Sequence, residues 1–240
     1  MAAIKTLLVA RVEPPSADFC AKAAELGLEV WHRSMLRVEL ADESTLRRDL
    51  DKVLMRNTTL IFTSQFAARA VHLNCPEILS QHALMAVGAG TAEALAPNKA
   101  SFPSQGEGAQ ALLDLLPNSL SGQFFCLLQA PDALTTLLHG LRTREAEVSI
   151  VEAYKRIRVP MDALELARLQ SIYCVDAGSG AQLKALVDAG LPLHTPLILP
   201  SERVRALAKS IEITGMIEVC LSDEGLRFEC LCNSVRNLNE

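Results

Sequence analysis

The sequence predicts an α/β protein of two similar lobes, each a parallel sheet flanked by helices. Three observations predict it. Short apolar runs alternate with longer amphipathic ones along the chain, which is the pattern of strands alternating with helices. A unit of strand, small-residue turn and helix recurs: FTSQFAARAV (62–71) is echoed by VGAGTAEAL (87–95), and CVDAGSGAQLKAL (174–186) by LPSERVRAL (199–207). The chain has 240 residues, half of them hydrophobic, which exceeds the usual single domain and can fill two cores.

TLLVARV (6–12) reads as a buried strand. SADFCAKAAELG (16–27) reads as a helix with Ser16 as its N-cap and Gly27 as its stop. LEVWH (28–32) is a second strand, and DESTLRRDLDKVLMRN (42–57) is a charged amphipathic helix. Further strands fall at 59–64, 83–88, 124–130 and 147–154, with helices at 65–73, 90–96, 107–116 and 131–143. After Pro160 the alternation resumes with strands at 171–176, 196–200 and 216–222 between helical runs. The last residues, 228–240, read as a helix.

Composition narrows the function. A net charge of −5 with no basic stripe argues against a nucleic-acid binder. The seven cysteines are irregularly spaced. Cys20, Cys75, Cys126, Cys174 and Cys220 sit in apolar runs, where a free thiol behaves as a small hydrophobe. Cys230 and Cys232 lack a second pair, so no zinc site is expected, and a reduced, cytoplasmic protein is the simplest reading. The start of the chain lacks the apolar core of a signal peptide, and no apolar stretch approaches the ~20 residues of a membrane span. A monomer is the default, because no feature marks an oligomer interface.

Familiar catalytic motifs are missing their defining residues. Gly88-x-Gly90 has Glu93 where the dinucleotide fingerprint needs a third glycine. The glycines of DAGSGAQ (176–182) flank Ser179 directly, which is not the spacing of a nucleophile elbow. His32, His72, His82, His139 and His194 show no metal-ligand spacing. Several turns could instead hold an anion. TSQFA (63–67), GTAEA (90–94) and PSERV (200–204) each open a helix with hydroxyl side chains and free amide groups. One such turn alone is an ordinary helix cap, whereas several facing one cleft would bind a polyanion. In AEVSIVEAYKRIRVP (146–160), Tyr154 is followed by Lys155, Arg156 and Arg158. A phenol there is a usable hydrogen-bond donor and weak acid.

An ordered series of segments resembles the uroporphyrinogen-III synthase family. It comprises LLVARVEP (7–14), LIFTSQFAARAV (60–71), AVGAGTAEAL (86–95), PSQGEGAQALLDLL (103–116), AEVSIVEAYKRI (146–157) and PLILPSERVRALAKSI (196–211). The resemblance implies one lobe from residues 1–36 and 161–240, a second from 39–154, and linker strands at 35–40 and 154–160. It implies a lyase that closes linear hydroxymethylbilane, a polycarboxylate, into uroporphyrinogen III with ring D inverted and water lost. No cofactor and no metal would be needed. Tyr154, at the mouth of the cleft, would be the catalytic residue, acting as a hydrogen-bond or proton donor to the departing hydroxyl. Thr63, Ser64, Gln65, Gly88, Thr91, Ser104, Arg156, Gly178, Ser179 and Ser201 would bind substrate.

Two stretches depart from the family pattern. VDAGSG (175–180) stands where the family often has a Ser/Thr-rich strand end, and Asp176 there would repel a carboxylate unless it points away. LQAPDAL (128–134) stands where many members carry Arg-Gly and a further Arg. These departures keep an alternative open: a non-catalytic two-lobed anion-binding or scaffold homologue.

Overall fold

A computed structural model describes residues 5–55, 57–106, 108–133, 135–220 and 229. The expected helix at 228–240 lies outside the described residues apart from Glu229, as does the end of the strand expected at 216–222. The chain divides into two compact units, one comprising Met1–Arg37 and Ile157–Glu240, the other Val38–Arg156.

In chain order, β1 (Lys5–Ala10), α1 (Ala17–Glu25) and β2 (Leu28–His32) open the first unit, and β3 (Leu36–Leu40) leads into the second. The second unit contains α2 (Glu43–Val53), β4 (Thr58–Phe62), α3 (Gln65–Asn74), α4 (Ile78–Gln81), β5 (Ala83–Ala86) and α5 (Ala89–Glu93). It continues with α6 (Ala109–Asp114), β6 (Phe124–Gln129), α7 (Thr136–Thr143) and β7 (Glu147–Glu152). The return passes through β8 (Tyr154–Arg158), which pairs with β3 in a two-stranded sheet. The first unit resumes with α8 (Ala163–Leu169), β9 (Cys174–Ala177), α9 (Gly180–Asp188), β10 (Leu197–Leu199), α10 (Glu202–Ser210) and β11 (Ile217–Val219).

The sheet of the first unit is parallel throughout, in the order β11-β10-β9-β1-β2. Leu7–Ala10 of β1 and all of β10 are apolar because both faces are covered, whereas β9 carries the buried Asp176 and the edge strands β2 and β11 carry Glu29 and Glu218. The two-residue period of a strand sorts their side chains. Leu8, Ala10, Val175, Ala177, Leu197 and Leu199 enter one cluster, while Leu7, Val9, Cys174 and Ile198 enter another. The second unit repeats the design with the parallel order β5-β4-β6-β7. Leu60, Phe62, Leu84, Ala86, Cys126 and Leu128 face one cluster, while Ile61, Met85, Phe125 and Leu127 face the other.

The recurring unit has one backbone solution. Ser64, Ser179 and Ser201 cap α3, α9 and α10 in nearly the same extended conformation, with φ/ψ of −165/160, −165/164 and −168/159. Each hydroxyl accepts from the amide of the third helical residue, Ala67, Gln182 or Val204. That bond satisfies one of the donors every helix start leaves open.

Several boundaries differ from the sequence expectation. The strand read as 147–154 is two strands, with β7 ending at Glu152 and β8 beginning at Tyr154. The break is at Ala153, which donates to Gln129 O at the end of β6 yet accepts from the amide of Ala41, so the chain changes partners there. The helix expected over 42–57 stops at Val53, because Leu54 is extended and the Met55 amide turns to Thr58 Oγ1. The helix read as 131–143 begins at Thr136, preceded by a turn in which Ala133 donates to Ala130 O; Leu134 lies outside the described residues. The helix expected over 107–116 runs from Ala109 to Asp114, after Gly108, whose φ of 92° suits glycine. The short helix α4 was not expected.

Cys126 and Cys174 are fully or almost fully buried, and burial pushes both thiols up to about 12. Cys20 is partly exposed. A thiol-specific disulfide reagent on the native protein is expected to label Cys20 and to spare Cys126 and Cys174, read by peptide mass mapping. Equal labelling of all three would mean the cores are open. Cys220, read as a free thiol from the sequence, is disulfide-bonded.

Candidate functional site

In a parallel α/β sheet, the carboxyl ends of the strands lie on one edge, and ligands bind there where the strand order reverses. In the second unit the reversal falls between β4 and β6. Thr63 follows β4; its amide and its hydroxyl both donate to Leu128 O, at 3.2 and 3.1 Å, which ties the α3 turn to the end of β6. Val87 donates to Phe62 O, bringing the Gly88 turn alongside. Ala153 donates to Gln129 O, which carries Tyr154 to the same edge. The sheet therefore gathers Thr63, Ser64, Gln65, Gly88 and Tyr154 at one edge of this unit. Gln65 is exposed, Gly88 and Thr91 are buried, and Thr91 lies within α5. Ser104 is exposed and precedes α6 by several residues, so it caps no helix.

Tyr154 is only 2 % exposed, and its ring belongs to the core of the unit. The ring packs on Phe66, with centroids 5.7 Å apart and planes tilted by 50°. Its hydroxyl sits in a part-buried position and accepts a hydrogen bond from Arg156 Nη2 at 2.9 Å. The other terminal nitrogen, Nη1, donates to Asp132 Oδ1 at 2.6 Å. The Arg156 guanidinium carbon is 5.3 Å from the Tyr154 ring centroid, and that of Arg69 is 5.8 Å from the Phe66 centroid. Two cations thus flank a Phe–Tyr pair, an attraction between positive charge and ring faces. Sequence reading singled out Tyr154 and Arg156 but missed Phe66, Arg69 and Asp132. The signal for Phe66 was its place inside TSQFA. Asp132, 24 residues before Arg156, had no local signal.

In the first unit the order reverses between β1 and β9. Gly178 donates to Ala10 O at 2.9 Å, and a Cβ there would come within 2.7 Å of Arg11 Cβ. Close approach of the two strand ends, rather than an unusual φ, makes glycine the residue that fits. Arg11 reaches back to Asp176, with Nη2 3.8 Å from Oδ2. Asp176 is 0 % exposed, so the carboxylate that would have repelled a substrate from the sequence alone is directed at an arginine inside the unit. Ser179 and Ser201 stand at the same carboxyl edge as the caps of α9 and α10. Arg33, one residue beyond β2, spans Glu165 at 2.7 Å, Pro160 O and Ser34 O. That pairing holds the Glu165 carboxyl below its ordinary value. Gln182, 2 % exposed, accepts from the Met35 amide and donates to Ser34 Oγ, pinning the segment that precedes β3.

The arginines at both carboxyl edges are therefore held by internal carboxylates: Arg11 by Asp176, Arg33 by Glu165 and Arg156 by Asp132. Among the described residues, no group of three or more His, Cys, Asp and Glu is arranged to hold a metal ion. No helix among them is long and apolar enough to cross a membrane.

Comparison with known proteins bears on this arrangement. Among solved structures, a mutant uroporphyrinogen III synthase from the extremely thermophilic bacterium Thermus thermophilus has a TM-score of 0.71 at 17 % identity, covering 98 % of this chain and 99 % of that one. The uroporphyrinogen-III synthetase from Helicobacter pylori 26695 gives 0.68 at 14 % identity, covering 97 % and 100 %. The wild-type Thermus thermophilus enzyme, in another crystal form, gives 0.54 at 18 %, covering 98 % of each chain. No curated protein sequence gives a significant match. At such identities the structural likeness establishes the fold. The sequence itself matches the family model described as uroporphyrinogen-III synthase HemD over residues 17–190, which takes in the edge residues of the second unit and most of those of the first. With its two parallel-sheet units and this match, the chain belongs to the uroporphyrinogen-III synthase HemD family.

Proposed function

We propose that the protein is a uroporphyrinogen-III synthase, closing hydroxymethylbilane into uroporphyrinogen III with inversion of ring D and loss of water. It would act as a cytoplasmic monomer without a cofactor. The family match over residues 17–190 carries this reading. The chemistry asks little of side chains beyond positioning and one proton. Once the hydroxymethyl group loses its hydroxyl as water, the electrophilic azafulvene can close in two ways, and the protein must favour attack from the substituted carbon of ring D. Holding reacting groups in place can supply roughly 7–11 kcal/mol of such a barrier.

Tyr154 is the proposed proton donor to the departing hydroxyl. Its oxygen already accepts from Arg156, so its single O–H remains free to donate elsewhere. The substrate carboxylates are assigned to the carboxyl-edge turns that begin at Ser64, Ser179 and Ser201, where helix starts present amide groups and positive dipole ends.

A second reading, a non-catalytic anion-binding or scaffold homologue, draws on one observation. Arg11, Arg33 and Arg156 are already occupied by internal carboxylates. One experiment separates the two. Freshly made hydroxymethylbilane is incubated with the protein, the product is oxidised, and type I and type III porphyrins are resolved. Type III product above the uncatalysed background is the expected result. Type I alone, at the uncatalysed rate, would select the homologue without catalysis.

A further inference from the structure

We infer that Asp132 is a positioning residue for Tyr154, acting through Arg156. The inference deepens the proposed activity and rests on it only for its kinetic consequence. Arg156 has a planar guanidinium whose donors hold fixed directions. Asp132 Oδ1 takes one terminal nitrogen at 2.6 Å, and the Tyr154 hydroxyl takes the other at 2.9 Å. The carboxylate is therefore the counter-anchor that decides where the second nitrogen points. With Arg156 held, a lone pair of the phenol oxygen is engaged and its O–H is directed away from the guanidinium. Without Asp132, Arg156 keeps its charge but loses the second anchor, and its long side chain regains its rotamers. The phenol proton then loses its fixed direction.

Asp132 comes from the turn after β6 and Arg156 from β8, so the link ties two chain segments 24 residues apart. The Asp132 side chain is 57 % exposed and that of Arg156 28 %, so the pair is too wet to matter for folding. An exposed aspartate beside a site for a polyanion is a liability for binding. Its place on the arginine that touches the phenol is accounted for by orientation.

The test uses the full-length protein with ring-labelled tyrosine. There are only two tyrosines, Tyr154 and Tyr173, and Tyr173→Phe assigns the resonances. In Asp132→Ala, the Tyr154 Cζ signal is expected to move toward its position in Arg156→Met, while Tyr173 stays in place. Asp132→Glu should return it most of the way. A Tyr154 signal that does not move in Asp132→Ala overturns the inference, whether or not the protein has activity. In the hydroxymethylbilane assay, Asp132→Ala should lower kcat by about tenfold with KM unchanged and raise the share of type I product. A fall in KM with kcat unchanged would instead make Asp132 a competitor of the substrate carboxylates, and would equally overturn it. If the wild-type protein forms no type III product, the proposed activity fails, and the resonance still decides whether Asp132 orients the phenol.

Discussion

Replacing Tyr154 by Phe is expected to leave the protein folded and to slow formation of the type III macrocycle by about 10²–10⁴-fold, the usual worth of a positioned general acid. The substitution removes one oxygen and keeps the ring. The packing on Phe66 and the burial of Tyr154 among the core residues of the second unit are therefore retained. Arg156 loses the phenol but keeps Asp132, and the vacated position is part-buried, where water can reach the guanidinium. The cost in stability should stay near 1 kcal/mol, roughly the net value of an ordinary hydrogen bond. Closure to the type I isomer needs no enzyme. As the directed route slows, spontaneous closure gains share, so the isomer ratio should shift along with the rate. Initial rates, separation of the two porphyrins and a thermal melt together check the expectation. Full rate with the wild-type isomer ratio would remove Tyr154 from the mechanism.

The second large effect concerns stability. Arg11→Met is expected to destabilise the protein by about 3–5 kcal/mol, the range found when one partner is taken from a buried ion pair. The reason lies with Asp176, which is 0 % exposed and 3.8 Å from the Arg11 guanidinium. Methionine fills much of the arginine's volume but strips the cation from a carboxylate that water cannot reach. Removing a cation from beside a buried charge leaves the burial of that charge less well compensated. Arg11→Met combined with Asp176→Asn should recover part of the loss, since the anion has gone with the cation. Chemical unfolding of the two single variants and the double variant measures the coupling directly. A loss below about 1 kcal/mol for Arg11→Met would mean that Asp176 is stabilised by other neighbours.

The core strands were legible because their chemistry is local and redundant. A strand covered on both faces is mostly apolar, and LLVA at 7–10 and LIF at 60–62, bounded by turn residues, read as such strands. The serine caps were legible for the same reason, since each acts on an amide three residues ahead. What escaped the reading depends on partners distant in sequence. Nothing near Ala153 announces that its carbonyl will turn to Ala41 and split a strand in two. Asp132 looks like a turn residue after Pro131 until Arg156 is seen beside it. Asp176 looked like a hazard for an anionic substrate until its burial against Arg11 was in view. Of the candidate site, the residue types and the strand ends were readable, whereas the pairing of each arginine was not.

The second unit is one continuous stretch, Val38–Arg156, whereas the first is assembled from both ends of the chain. On the ribosome this imposes an order. Strand β1 emerges first, but its neighbour β9, to which Leu7 and Leu8 pair through Cys174 and Val175, is synthesised more than a hundred residues later. Until then β1 and β2 have only each other, and a lone two-stranded pair is marginal in water. The inserted unit has all its strands in hand and can complete itself in the interval, as contiguous domains do during synthesis. Between the synthesis of β1 and that of β9, the nascent chain thus carries the apolar edge Leu7–Ala10 without its later neighbour, an edge open to wrong pairing until residues 174–177 arrive.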